Sequence, residues 1–211
     1  LERFHDAQQS IDDAMALFST GHLSLDHRCL AESLYFSICL KIKEISAGQD
    51  YVPEELEKLD RMLSDNYFCN FSLFQSIPDS WAIHQLFPIM PIHRLNERPD
   101  SNAVLSDITC DSDGRVDHFI DRRDVRRTLP LHRFDGSQYY LGTFLVGAYQ
   151  EILGDLHNLF GDTNTVHVDL NESGEVVLDS LQKGESVREV LEYVQFDDRD
   201  LTRRLLESVE E

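Results

Sequence analysis

The stretch Tyr67-Phe-Cys-Asn-Phe-Ser-Leu-Phe74 divides the sequence into two textures, and its reading decides the fold. It is aromatic-rich and roughly alternating, as a half-buried strand would be, and the turn formers Pro78 and Asp79 follow it. Before Asp65 the apolar residues recur at helical spacing. After it, short strand-like runs are punctuated by Gly, Asp, Asn and Pro.

Upstream, Phe4, Ala7, Ile11, Ala14, Met15 and Phe18 predict a helix stopped by Gly21. Ser24 can cap a second helix, which carries Cys29, Leu30, Leu34, Ile38 and Ile42 and ends at Gly48. Pro53 suits the first turn of a third, in which Leu56, Leu59 and Leu63 face one way while Glu54, Glu55 and Glu57 favour the N-terminus. Downstream, strands are expected over 86–92, 103–109, 116–120, 127–131 and 139–146. A helix over 149–160 puts Ile152, Leu153, Leu156 and Phe160 on one face and stops at Gly161. Thr165–Leu170 and residues 175–178 flank the turn Asn171-Glu-Ser-Gly174 as a hairpin, Ser186-Val-Arg-Glu189 is a capping box, and Leu201, Leu205 and Leu206 belong to a last helix. The sum is an α+β chain. A small helical bundle spans 1–65, an antiparallel β-barrel or sandwich with an inserted helix spans 66–196, and 197–211 begins a C-terminal helical region.

The 211 residues carry 19 Lys+Arg against 39 Asp+Glu, a formal charge of -20, so the surface lacks the basic face that nucleic acid or an anionic membrane requires. A cationic substrate suits that charge better. No apolar run approaches the length of a membrane-spanning helix. A chain starting at Leu1 and finishing at Glu210-Glu211 within a helical pattern reads as a piece of something longer. Cys29, Cys39, Cys69 and Cys110 form no CxxC pair, which argues against a structural metal and for a reducing compartment, the cytoplasm.

Chemistry concentrates in two places. The first is Asp107-Ile-Thr-Cys-Asp-Ser-Asp-Gly114, with Asp117 close behind. An EF-hand fails here, because Gly114 at loop position six puts Thr109 first and Ile120 at the bidentate Glu position. Carboxylates on both sides of Cys110 discourage a thiolate and suit a proton donor; the plainer alternative is a buried thiol beside an acidic turn. Asp107, Asp111, Asp113 and Asp117 could also bind a divalent ion. The second place is Tyr139-Tyr-Leu-Gly-Thr-Phe-Leu-Val-Gly-Ala-Tyr149, where Tyr149 opens a helix after a small-residue bend and could donate to a phosphate, or else fill a core. Trp81 reads as a core anchor and the histidines, His157 among them, as surface or supporting groups.

Taken with Asn70-Phe-Ser-Leu-Phe-Gln-Ser-Ile-Pro-Asp79 and the run 141–163, these segments resemble the C-terminal part of bacterial biosynthetic arginine decarboxylases. The resemblance covers essentially the whole chain and is weakest over 1–60 and after Asp179. It implies a fold-type-III enzyme dependent on pyridoxal phosphate, in which an N-terminal barrel supplies the Schiff-base lysine and the β-domain completes the partner subunit's site in a homodimer or higher homo-oligomer. No lysine here matches that position, so the segment alone is expected to be inactive. The resemblance implies Cys110 as proton donor to the substrate carbon and Asp111, with Asp113 assisting or shaping the turn, as receiver of the substrate's cationic end. Tyr149 is implied as the phosphate contact, magnesium as an ion of the family, and helices 1–65 as an insertion used in subunit packing. The reaction so implied turns L-arginine into agmatine and carbon dioxide at the head of polyamine synthesis. Competing readings are a non-catalytic dimerising module and a decarboxylase of ornithine, lysine or diaminopimelate.

Overall fold

The computed structural model describes residues 1–46, 49, 53–122 and 124–210. In chain order its elements are α1 (Glu2–Ser19), α2 (Leu25–Ser46), α3 (Glu54–Met62), β1 (Asp65–Phe68), α4 (Leu73–Ser76), α5 (Pro78–Ala82), β2 (Ile89–Pro91), β3 (Ser101–Ser106), β4 (Arg115–Val116), β5 (Phe119–Ile120), β6 (Val125–Arg126), β7 (Leu129–Leu131), β8 (Leu141–Thr143), α6 (Ala148–Leu153), a 3-10 turn (His157–Leu159), β9 (Thr165–Leu170), β10 (Val176–Gln182), α7 (Val187–Tyr193) and α8 (Asp198–Glu210). Contacts divide them into two compact units. One comprises Leu1–Tyr67, Ile89–Val104 and Asp117–Gly142; the other comprises Phe68–Pro88, Leu105–Val116 and Thr143–Glu211.

The first unit begins with the expected bundle. α1 ends in a Schellman-like closure, in which Gly21 N–H donates to the Phe18 carbonyl and His22 N–H to that of Leu17. Ser24 accepts from the His27 N–H at 3.4 Å and so caps α2. The stop expected at Gly48 lies outside the described residues. Pro53 occupies the N-cap of α3 rather than its first turn, at φ -59° and ψ 144°. Ala7, Tyr35, Cys39, Leu56 and Leu59 form the buried centre, with Phe4, Ile11, Ile42 and Leu63 packed against it. Burial and the neighbouring Cys39 push the Tyr35 phenol up to about 12, and its hydroxyl donates to Gln8 at 2.7 Å. In the strand part, β7 pairs antiparallel with β3 (Ser101↔Leu131 to Ala103↔Leu129), and His132 is buried with its ring bonded to the Tyr139 hydroxyl at 2.8 Å and the Glu97 carbonyl at 3.1 Å.

The second unit departs furthest from expectation. The run through Phe74 is strand only as far as Phe68. Leu73, Phe74 and Ile77 are buried at helical spacing, and the chain forms α4 and α5. The last residues of β3 pair with β4 here, Leu105↔Val116 and Ser106↔Arg115. Residues 139–146 are extended only at Leu141–Thr143; Leu145 has φ +59°, which takes the backbone out of the extended region. The helix expected to reach Phe160 ends at Gly154, where a Cβ would collide with the Gln75 carbonyl, so close packing against α4 decides the stop. Ile152 and Leu153 are consequently exposed rather than a core face. The hairpin forms as expected, Val176↔Leu170 to Gln182↔Thr165 with an irregularity between Leu178 and Ser180, and Ser186 with Glu189 makes both bonds of a capping box. Among the described residues the strands stand in small separate sheets and do not close into a barrel. No helix among them is long and apolar enough to cross a membrane.

Candidate active site

The acidic turn is folded by its one buried member. Asp107, 2 % exposed at the end of β3, accepts with one oxygen from the Leu73 N–H at 2.9 Å and with the other from the Thr109 N–H at 2.9 Å and hydroxyl at 2.7 Å. It thereby caps α4, whose own N-cap Ser72 makes no side-chain cap and whose hydroxyl is buried without a partner among the described residues. Gly114 closes the loop, its carbonyl accepting from the Asp107 N–H at 2.8 Å. A Cβ on Gly114 would overlap the Asp107 carboxylate, so the turn needs that glycine.

This anchoring displays the two residues that follow Thr109. The Cys110 thiol is exposed, not buried as the plainer reading expected. It points at Asn158 Oδ1 at 3.7 Å. The half-buried Asp111 accepts from the Asp113 N–H at 2.8 Å and lies 3.0 Å from His157 Nε2. Those bonds, the Asp113 amide first and His157 second, hold its carboxyl below the usual carboxylate range. Asp113 accepts from Trp81 Nε1 at 3.3 Å. Trp81, 45 % exposed, is a wall of the site rather than a core anchor, and its ring, Phe74 and His157 form one aromatic cluster with Phe74 4.2 Å from His157 and 5.3 Å from Trp81.

Tyr149 stands apart. It is the second residue of α6, 73 % exposed, and among the described residues no hydrogen bond or ring contact ties it to the Cys110 turn. A cleft of about 660 Å³ beside it is bordered by Gly147 and Ala148, but Glu151, Asp155, Asp162 and Glu185 outweigh Lys183 there, so it is no ready-made anion site.

The divalent-ion alternative is corrected. Both Asp107 oxygens are taken, one by the Leu73 N–H and the other by Thr109, and Asp117 belongs to the first unit, where it pairs with Arg61 at 2.8 Å and His118 at 2.6 Å. Among the described residues no group of three His, Cys, Asp or Glu side chains could hold a metal ion. What sequence reading missed is the supporting set Asp107, Trp81, His157 and Asn158. No signal local to 155–160 points to His157 or Asn158, whose partners lie 46 and 48 residues away in sequence.

Comparison with known proteins bears on the whole chain. The sequence profile of the arginine decarboxylase helical bundle domain matches residues 1–60. The biosynthetic arginine decarboxylase of Rhodopirellula baltica is 59 % identical over 211 residues, covering 100 % of this chain and 31 % of that protein. That of Phocaeicola vulgatus is 55 % identical over 206 residues, covering 97 % and 32 %. The crystal structure of the biosynthetic arginine decarboxylase SpeA from Campylobacter jejuni superposes with a TM-score of 0.72 at 34 % identity, over 98 % of this chain and 32 % of that one. The chain thus spans about a third of the length of these relatives. In sequence and in fold the chain is similar to one segment of the biosynthetic arginine decarboxylases.

Proposed function

We propose that this chain is the part of a pyridoxal-phosphate-dependent arginine decarboxylase that receives the substrate's cationic end and returns a proton to its carbon. The observation that carries the reading is the Asp107-anchored turn, which exposes the Cys110 thiol next to an Asp111 carboxylate whose two oxygens are each held by one donor. A guanidinium needs planar, paired acceptors of opposite charge, and a carboxylate fixed in its plane offers them. Asp113, occupied by Trp81, shapes the turn and adds negative charge beside it.

One residue present offers the cofactor a contact, although the acidic cleft beside it adds no anion site of its own. The exposed Tyr149 hydroxyl has no partner among the described residues and follows Gly147, around which a Cβ would meet nothing within 4 Å, so the phenol is available to a phosphate. Pyridoxal phosphate, when bound, supplies the electron sink that lets carbon dioxide leave. Cys110 then gives its S–H proton to the α-carbon, and solvent, to which the thiol is open, restores it. A positioned acid contributes on the order of 10²–10⁴-fold. In this reading the turn acts on a partner subunit's cofactor, so the working assembly is a cytoplasmic homodimer or larger homo-oligomer, L-arginine its substrate and agmatine its product. Helices 1–65 pack subunits, with domain limits near 65 and 196. Among the described residues no group of three His, Cys, Asp or Glu side chains could hold the magnesium that the resemblance implies.

The test is carbon dioxide release by the full-length protein over a panel of arginine, ornithine, lysine and diaminopimelate. Arginine is expected to lead, and Asp111→Ala to reduce its use sharply while Cys110→Ala lowers turnover more than cofactor binding. Full arginine use by Asp111→Ala would remove Asp111 from its role.

A further inference from the structure

Cys110 and Asp111 are not held by their own turn alone. Two consecutive residues of the 3-10 turn reach them. His157 Nε2 lies 3.0 Å from Asp111 Oδ2, and the Cys110 thiol donates to Asn158 Oδ1 at 3.7 Å. The backbone that delivers these side chains is unusual. Asn158 and Leu159 both have positive φ, 61° and 55°, a region that Asn tolerates and Leu seldom adopts. The His157 ring lies tilted against Phe74, with ring centres 4.2 Å apart, and 6.2 Å from Trp81, which restricts its rotation. A strained turn that ends in two packed contacts to adjacent site residues is the kind of feature that the surroundings must over-determine.

We infer that His157 and Asn158 are positioning residues, His157 for the carboxylate that takes the substrate's cationic end and Asn158 for the proton-donating thiol. The inference rests on the roles proposed above for Asp111 and Cys110. His157 and the Asp113 amide each occupy one lone pair on a different Asp111 oxygen, which fixes the carboxylate plane and leaves the remaining lone pairs for a guanidinium. The Asn158 amide oxygen accepts from the thiol and sets the direction of its S–H toward the place where the substrate carbon takes the proton.

The two adjacent residues should therefore fail differently, and the full-length protein is the material for the test. His157→Ala is expected to raise KM for arginine about tenfold, with kcat changed less than about twofold, and His157→Gln, which keeps a donor, to recover most of the loss. An unchanged or lowered KM in His157→Ala, or a Gln variant no better than Ala, overturns the assignment. For Asn158, iodoacetamide labelling of Cys110 at one fixed pH, read by peptide mass spectrometry, needs no turnover. Asn158→Gly, which suits the positive φ but lacks the acceptor, is expected to label about threefold faster than the parent, and Asn158→Asp, which keeps an acceptor, no faster. Equal labelling of parent and Gly variant, or equal acceleration in both variants, overturns it. Carbethoxylation of His157 should likewise quicken about threefold in Asp111→Ala, which removes the acceptor, and no change there breaks the His157–Asp111 link. A parent protein that releases no carbon dioxide from arginine sinks the substrate reading, while both labelling arms still decide the positioning.

Discussion

The helical bundle and the acidic turn are each organised around one residue only 2 % exposed, Leu59 in the first and Asp107 in the second, yet opposite physics holds them. Leu59 is gripped by Leu56, Tyr35, Cys39 and Ala7 through contacts that have no direction, so any sequence with apolar residues at the right period would build a similar centre. Asp107 is gripped by three directed bonds from Leu73 and Thr109, and removing any donor or acceptor strands a buried polar group. The difference teaches what each region can spare. The bundle can exchange one apolar side chain for another of similar volume; the turn cannot exchange Asp107 or Gly114 for anything.

The largest expected effect tests that contrast directly. Asp107→Ala should cost about 4 kcal/mol, because it leaves the Leu73 and Thr109 amides unpaired inside the second unit. Hydrogen exchange is expected to speed at those amides while the amides of α1–α3 keep their protection. Loss of protection in the bundle as well would show the two regions to be one cooperative structure. Leu59→Ala is the converse and should cost about 3 kcal/mol through the cavity it opens, whereas Leu59→Met should cost under about 1.5 kcal/mol. Labelling of Cys110 should be unchanged in both Leu59 variants.

A third effect is read by pH. The folded-state Tyr35 phenol sits above its ordinary value, at about 12, and burial raises the Cys39 thiol too. Groups raised in this way stabilise the fold fully below their unfolded values, and the contribution is lost as pH climbs through the folded ones. The bundle should therefore keep its helical circular dichroism to about pH 10 and lose it toward 12, with phenolate absorbance rising in step. Asp111 runs the other way. Its carboxyl is lowered, so arginine KM should stay flat as pH falls through the ordinary carboxylate range and rise only below it. Helical signal lost well before the tyrosine absorbance rises would assign the alkaline transition to another group.

How much of this was legible follows from the same contrast. Period 3.6 and simple caps gave α1, α3 and the start of α2 to within a residue or two, because their cause lies within the segment. The turn after β3 was visible as a cluster of carboxylates, and Cys110 and Asp111 could be singled out in it. That Asp107 is the buried member, however, depends on α4 lying within reach, a contact 34 residues away in sequence. Residues 69–74 were misread as strand for a related reason: Phe71, Leu73 and Phe74 fit either period in so short a run. The helix from Tyr149 stopped early because Gly154 packs on Gln75, again a non-local cause. His157 and Asn158 were invisible in their roles for the same reason, since nothing within 155–160 says what they touch.

The smallest effect comes from a feature with a wholly local cause, and it sharpens the comparison from the other end. The Ser186 hydroxyl accepts from the Glu189 N–H, and the Glu189 carboxylate accepts from the Ser186 N–H at 2.7 Å and from its hydroxyl. These same bonds lower the Glu189 carboxyl. Ser186→Ala removes one half of the box and should cost about 1 kcal/mol, and Ser186→Gly only a few tenths, because the N-cap backbone φ of -86° and ψ of 161° suits either residue. Exchange should quicken in the first turn of α7 and leave the Leu73 and Thr109 amides as they are. Directed bonds confined to four consecutive residues would then be costed like the weak local interactions of any helix end, and the larger penalty at Asp107 would be traced to burial and distance in sequence rather than to hydrogen bonding as such.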